Sequence, residues 1–158
     1  MLTGSETAAR QRSPVSRWLT ARRVIDSDFG DRSQRPRSIL IAEDNPDSRD
    51  ALRALLEAYG FHVVEAENGQ EAVRRGIEQK PDLILMDIMM PTMDGLQATR
   101  TLRGSREFRQ VPILALTAMA GSRDLAIQAG CNDYLSKPID IANFMTKIRR
   151  WLDESTPS

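Results

Sequence analysis

Leu83-Ile84-Leu85-Met86-Asp87 is an unbroken apolar run that ends on an acid. Four consecutive apolar residues without alternation suit a strand buried on both faces of a sheet. Working outward, the same texture recurs at Ile39-Leu40-Ile41, Val63-Val64, Ile113-Leu114-Ala115-Leu116 and Tyr134-Leu135. The stretches between them carry helix signals. Asn45-Pro46 opens the first, with proline at the opening position, and Ala51, Leu52, Leu55, Leu56 and Tyr59 supply its apolar face up to Gly60. Asn68-Gly69-Gln70-Glu71 resembles a capping box for the second, and Pro81 closes that region. Asp94-Gly95 opens the third, through Leu96, Thr99 and Leu102. The fourth is expected over residues 122–129 and ends at Gly130; the fifth over residues 141–152, with Phe144, Ile148 and Trp151 at helical spacing. Five strands alternating with five helices predict an α/β fold with a parallel sheet.

In such sheets, sites form beyond the carboxyl ends of the strands. Strand one ends in Glu43-Asp44, strand three in Asp87 and strand four in Thr117, and strand five is followed by Lys137-Pro138. Carboxylates brought together repel unless a cation compensates. A hard divalent ion such as Mg2+ takes oxygen ligands, and Asp44, Asp87 and a backbone carbonyl in the loop 88–90 offer them. Lys137 is a point charge suited to a phosphoryl oxygen, and Thr117 adds a hydroxyl donor. Carboxylate nucleophile, metal, lysine and hydroxyl together form a phosphoryl-transfer set. Each residue alone has a plainer reading: a strand-end turn, a satisfied hydroxyl, a surface lysine or a helix cap. Their placement at successive strand ends favours the chemical one.

Bulk properties frame this. The chain has 158 residues, 41% apolar and 28% charged, which suits one globular domain. No apolar run approaches the roughly 18 residues of a membrane helix, no secretory signal is visible, and the compartment expected is the cytoplasm. Cys131 is the only cysteine, which precludes an internal disulfide and a cysteine-rich metal site. Residues 1–37 carry a net charge of +4 and residues 38–158 a net of −4. The folded part has no basic surplus, so direct nucleic-acid binding is not expected. Residues 1–36 read as a disordered basic extension, 37–154 as the folded domain and 155–158 as a disordered tail. Within the extension, Val15, Trp18, Leu19 and Ile25 recur at helical spacing after Ser13-Pro14, which leaves open a docking or membrane-surface helix beside a nascent one. The sole histidine, His62, lies before the second strand, and neither it nor Cys131 is read as a site residue.

The motifs Ile39-Leu40-Ile41-Ala42-Glu43-Asp44-Asn45, Leu85-Met86-Asp87-Ile88-Met89-Met90-Pro91-Thr92-Met93-Asp94-Gly95, Ala115-Leu116-Thr117-Ala118 and Asp133-Tyr134-Leu135-Ser136-Lys137-Pro138 together resemble the receiver domain of bacterial two-component response regulators. The resemblance covers residues 38–153. It implies a doubly wound, flavodoxin-like sheet in strand order 2-1-3-4-5. It implies that Asp87 is the phosphoacceptor, with Lys137 and Thr117 as its catalytic partners. Glu43, Asp44, Asp87 and the backbone carbonyl of Met89 would hold Mg2+ (or Mn2+). Thr117 and Tyr134 would form the switch, and the Lys137–Pro138 peptide would be cis.

The phosphodonor implied is a histidine kinase or histidine phosphotransfer protein, and the output a protein target read through the α4-β5-α5 face. The chain would act as a monomer or a phosphorylation-dependent dimer. It would be a phosphoacceptor that catalyses only its own phosphorylation and dephosphorylation. No room for an output domain is seen in the chain, so a stand-alone regulator is expected; a receiver separated from a hybrid histidine kinase is the alternative. Met89 and Met119 stand where polar residues can orient the attacking water, so slow self-dephosphorylation is expected. A small-molecule phosphatase would want a second acid at Met89, and a flavin carrier would not place Glu43-Asp44 against a phosphate.

Overall fold

In the computed structural model the described residues are 35–155, with no account of the side chains of residues 154 and 155. The helical spacing expected near residues 13–25, and most of the 1–36 extension, lie outside them. The chain divides into two units at residues 37 and 38, and every described element belongs to the second.

Five strands form that unit's sheet: β1 (Ser38–Ala42), β2 (His62–Ala66), β3 (Leu83–Asp87), β4 (Ile113–Thr117) and β5 (Asp133–Ser136). Their order is β2-β1-β3-β4-β5, and every pairing is parallel. The expected doubly wound order is therefore the observed one. Every residue of β3 and β4 is buried, whereas the edge strands β2 and β5 are only partly covered. This is why the central strands read as continuous apolar runs and the edges do not.

Alternate residues of each strand face opposite sides. Leu40, Ile84, Met86, Ile113 and Ala115 pack with Ala72, Ala98, Leu102 and Ala126. These last belong to α2 (Gly69–Gln79), α3 (Gly95–Arg103) and α4 (Arg123–Ala129). Ile39, Ile41, Leu83, Leu85, Leu114 and Leu116 pack with Leu52, Leu56, Phe144 and Ile148. Those come from α1 (Pro46–Ala58) and α5 (Ile141–Ser155). Each Leu, Ile, Met or Phe among these, fully buried, stabilises by about 1.5–3 kcal/mol against the entropy of ordering it, and each alanine by less. Helix α5 runs three residues past the expected end. Ala51 of α1 and Tyr59, which follows its last residue, fall off the apolar face: Ala51 is exposed, and Tyr59 is 48% exposed beneath the guanidinium of Arg149.

The caps hold the helix starts beside the strand ends. Asn45 Oδ1 accepts from the Ser48 amide at 3.0 Å, Asn68 Oδ1 from Glu71 at 2.8 Å and Asp94 Oδ1 from Gln97 at 2.8 Å. Glu71 does not complete the capping box; its carboxylate pairs with Arg75 instead. Gly95 admits no side chain, since a Cβ there would lie 2.1 Å from the Asp87 carbonyl oxygen. The absence of that atom lets the start of α3 close against the end of β3.

Candidate functional site

Strand geometry delivers the acids. Glu43 follows β1, its amide held by the Ala66 carbonyl at 3.0 Å and its carbonyl by Arg49 Nη1 at 2.8 Å. Asp87 is the last residue of β3, Thr117 the last of β4, and Lys137 follows β5 with its amide on the Thr117 carbonyl at 2.8 Å. The Lys137–Pro138 peptide is cis, as the resemblance implied.

These residues meet. Lys137 Nζ lies 2.9 Å from Glu43 Oε1 and 2.8 Å from Asp87 Oδ2. The other Asp87 oxygen, Oδ1, accepts the Met89 amide at 3.0 Å, so both oxygens of that carboxylate are oriented. Glu43 is 1% exposed and Asp87 4%, while Asp44 is open to solvent. Carboxylate oxygens of Glu43, Asp44 and Asp87 all lie within 4.8 Å of one another. Lys137 pairs with two of these three acids, and Glu43 Oε2 is buried with no hydrogen-bond partner.

Burial first, and then the neighbouring Asp87, push the Glu43 carboxyl up to about 7 despite Lys137. Burial pulls the Lys137 ammonium down, but its bonds to Asp87 and Glu43 outweigh that and leave it raised. A buried oxygen lacking a partner, among hard oxygen donors open on the Asp44 side, fits a hydrated divalent ion of the magnesium type. The residues that could hold it are Glu43, Asp44 and Asp87. The Met89 amide is tied to Asp87, which fixes beside them the loop carrying the Met89 carbonyl.

Thr117 and Tyr134 stand apart from this cluster. Thr117 is 1% exposed, and its hydroxyl accepts the Met119 amide at 2.9 Å and meets Ser122 Oγ at 2.8 Å. Tyr134 is half-buried, with the Arg123 guanidinium 5.6 Å and Lys147 Nζ 5.3 Å from its ring centroid. Sequence reasoning missed Ser122, a buried serine at the cap position of α4 that makes no cap bond. Its sequence signal is that of an ordinary helix start. His62 opens β2, at the opposite end of the sheet from the acids, and Cys131 is buried beside Thr99 at 3.7 Å.

Residues 39–149 match the family model for the response regulator receiver domain. The chain belongs to that family. The receiver domain is 39% identical over 122 residues to the polar-differentiation response regulator DivK of Brucella anthropi, covering 76% of this chain and 99% of the relative. It is 41% identical to the receiver domain of a sensor histidine kinase from Pseudomonas aeruginosa. That structure has a magnesium ion coordinated in its active site cleft, and the match has a TM-score of 0.71 over 75% of this chain and 98% of the other. The receiver domain of a Saccharomyces cerevisiae response regulator, solved with a histidine phosphotransfer signaling protein, is 32% identical, with a TM-score of 0.68 over 73% of this chain and 88% of the other. Among the described residues, no helix of the receiver domain is long and apolar enough to cross a membrane.

Proposed function

We propose that this receiver domain accepts a phosphoryl group on Asp87 from the phosphohistidine of a kinase or phosphotransfer protein, in a Mg2+-dependent reaction. The observation that carries the reading is the Asp87 carboxylate: buried at a strand end, held by Lys137 and the Met89 amide, and grouped with two further acids. A carboxylate oxygen attacks phosphorus in line; the new P–O bond forms as the P–N bond to imidazole breaks, and the electron pair leaves with the ring nitrogen. Lys137 neutralises charge on the phosphoryl oxygens, and Asp87 and Glu43 hold its ammonium in place beforehand. A divalent ion held by Glu43, Asp44, Asp87 and the Met89 carbonyl would supply further charge neutralisation.

Thr117 then donates to a phosphoryl oxygen, Tyr134 follows, and the face of α4, β5 and α5 changes for a protein target. A phosphoryl group supplied by a kinase supports a cytoplasmic location for the protein. A stand-alone regulator and a relay module of a hybrid kinase share this chemistry. Relatives of both kinds, at 39% and 41% identity, support keeping the second beside the first.

Intact-mass measurement after incubation with acetyl phosphate or phosphoramidate and Mg2+ tests the proposal. A single phosphoryl adduct is expected, absent without metal and absent in Asp87→Ala. An adduct that survives in Asp87→Ala, or none on folded wild type with either donor, rejects it. Met89 and Met119 are 60% and 51% exposed, and neither side chain donates to water. The adduct is therefore expected to be long-lived, and a Met89→Asn/Met119→Gln double variant to lose it faster; equal lifetimes would remove the methionines from the account.

A further inference from the structure

Between Ala118 and Leu125 every side chain is exposed except that of Ser122, which is 3% exposed. Its hydroxyl lies 2.8 Å from the Met119 carbonyl oxygen and 2.8 Å from Thr117 Oγ1, and the Met119 amide donates to Thr117 Oγ1 at 2.9 Å. A hydroxyl has one hydrogen. Ser122 spends its own on Met119, so the Ser122–Thr117 contact is made with the hydrogen of Thr117. The other arrangement sends the Thr117 hydrogen to the Met119 carbonyl across 3.5 Å, a poor distance. The first arrangement makes two bonds of 2.8 Å and consumes the Thr117 hydrogen inside the β4–α4 loop. The bonds form a closed ring: Met119 amide to Thr117, Thr117 to Ser122, and Ser122 back to the Met119 carbonyl. Bonds chained in one direction strengthen one another.

Ser122 also opens α4 with φ −82° and ψ −5°, without capping it. An N-cap serine ordinarily has extended backbone and accepts an amide of the first turn.

We infer that Ser122 is a latch that competes with the phosphoryl group for the single hydroxyl hydrogen of Thr117. This rests on the phosphoacceptor reading above and names a residue that sets how readily the switch closes. While the ring is intact, Thr117 cannot donate toward Asp87. Once it does, Ser122 Oγ loses its donor and is free to accept an amide at the start of α4. One exchange of hydrogen-bond partner thus couples the phosphorylation site to the first turn of α4. Ser122 is a positioning residue; it does not touch the acids.

The test uses beryllofluoride with Mg2+ as a phosphoryl mimic, read by titration on the full chain. Ser122→Ala is expected to bind it about fivefold more tightly, the worth of one buried hydrogen bond no longer broken on binding. Ser122→Cys, which keeps the volume and weakens the bond, should fall between, and it decides the matter if the alanine variant fails to fold. In a Thr117→Val background, Ser122→Ala should bring no gain. Unchanged or weaker binding, or the same gain without the Thr117 hydroxyl, overturns the latch.

Thr117 side-chain rotamers, measured by NMR couplings in protein free of metal and mimic, give a readout independent of Asp87. One rotamer is expected in wild type and a mixture in both Ser122 variants. A single rotamer throughout would overturn the latch by itself. Failure of wild type to take up beryllofluoride would instead count against the phosphoacceptor reading and leave the rotamers to decide the latch.

Discussion

The two ends of the sheet are both polar, but they treat their charges differently. At the amino end of β4, Arg103 Nε donates to the Gly130 carbonyl at 2.9 Å. Its Nη1 reaches the carbonyls of Phe108 and Val111, and Nη2 the Asn132 Oδ1 at 2.7 Å. That same Asn132 oxygen accepts the Ile113 amide at 2.8 Å, and the Asn132 amide returns to the Ile113 carbonyl. Nearly all the acceptors there are backbone groups whose positions the fold already determines. At the carboxyl end, one ammonium is divided between two carboxylates, a third acid is exposed, and a buried oxygen lacks a partner. The first arrangement completes the hydrogen bonding of loops around one side chain. The second leaves charge uncompensated where an ion and a phosphoryl group can compensate it. A polar cluster that is fully satisfied contributes to stability, whereas one that is incompletely satisfied has capacity left for a ligand.

The sharpest break in this comparison is Asp87→Ala, expected to abolish the phosphoryl adduct completely while the fold remains intact by circular dichroism. Arg103→Ala should do the reverse. It strands several loop carbonyls and is expected to cost about 3 kcal/mol in urea unfolding. The folded fraction should still accept one phosphoryl group; a cost well below that would mean water replaces the guanidinium. Glu43→Gln removes one of the crowded charges and is expected to raise stability by about 1 kcal/mol in chelator. The same variant should blunt the rise in Tm on adding Mg2+. A loss of stability in chelator would show that the ion pair with Lys137 outweighs the crowding.

The smallest effect lies at Asp133. Burial raises its pKa, but hydrogen bonds from Trp151 Nε1, the Tyr134 amide and Lys147 outweigh that and hold it below its ordinary 3.8. A depressed carboxylate contributes stability that is present above its unfolded value and lost as pH falls through the folded one. Asp133→Asn should therefore flatten the acid limb of the Tm–pH curve below about pH 4. An unchanged acid limb would mean that these bonds persist when the group is protonated.

Much of this is legible in the residues alone. Ile84, Leu85, Ile113 and Leu114 announce central strands because a strand covered on both faces needs apolar residues at every position. Asn45, Asn68 and Asp94 announce helix starts because capping is local chemistry between residues three apart. Glu43, Asp87 and Lys137 stand out because strand ends are where a parallel sheet leaves room for polar groups, and the structure brings these three together, whereas the Thr117 hydroxyl bonds into its own loop. Tyr59 was misread because its place on the helical wheel says only which way a side chain leaves the backbone. Whether a partner waits there depends on α5, 90 residues later in the chain, where Arg149 covers one face of the ring and solvent takes the rest.

Residue type and spacing thus determined the order of elements, the sheet class and the identity of the polar groups at its carboxyl end. All of these follow from contacts within a turn or from the pleat of a strand. Only the tertiary structure decided how those groups divide their bonds. Lys137 lies 94 residues from Glu43 and 50 from Asp87, and its bonds to both depend on four strands, β1, β3, β4 and β5, packed in register. The contact of the Thr117 and Ser122 hydroxyls at 2.8 Å was equally out of reach. A serine before a helix carries the same local signal whether its hydroxyl caps that helix or turns back into the core, and the direction is set by the packing of the loop around it.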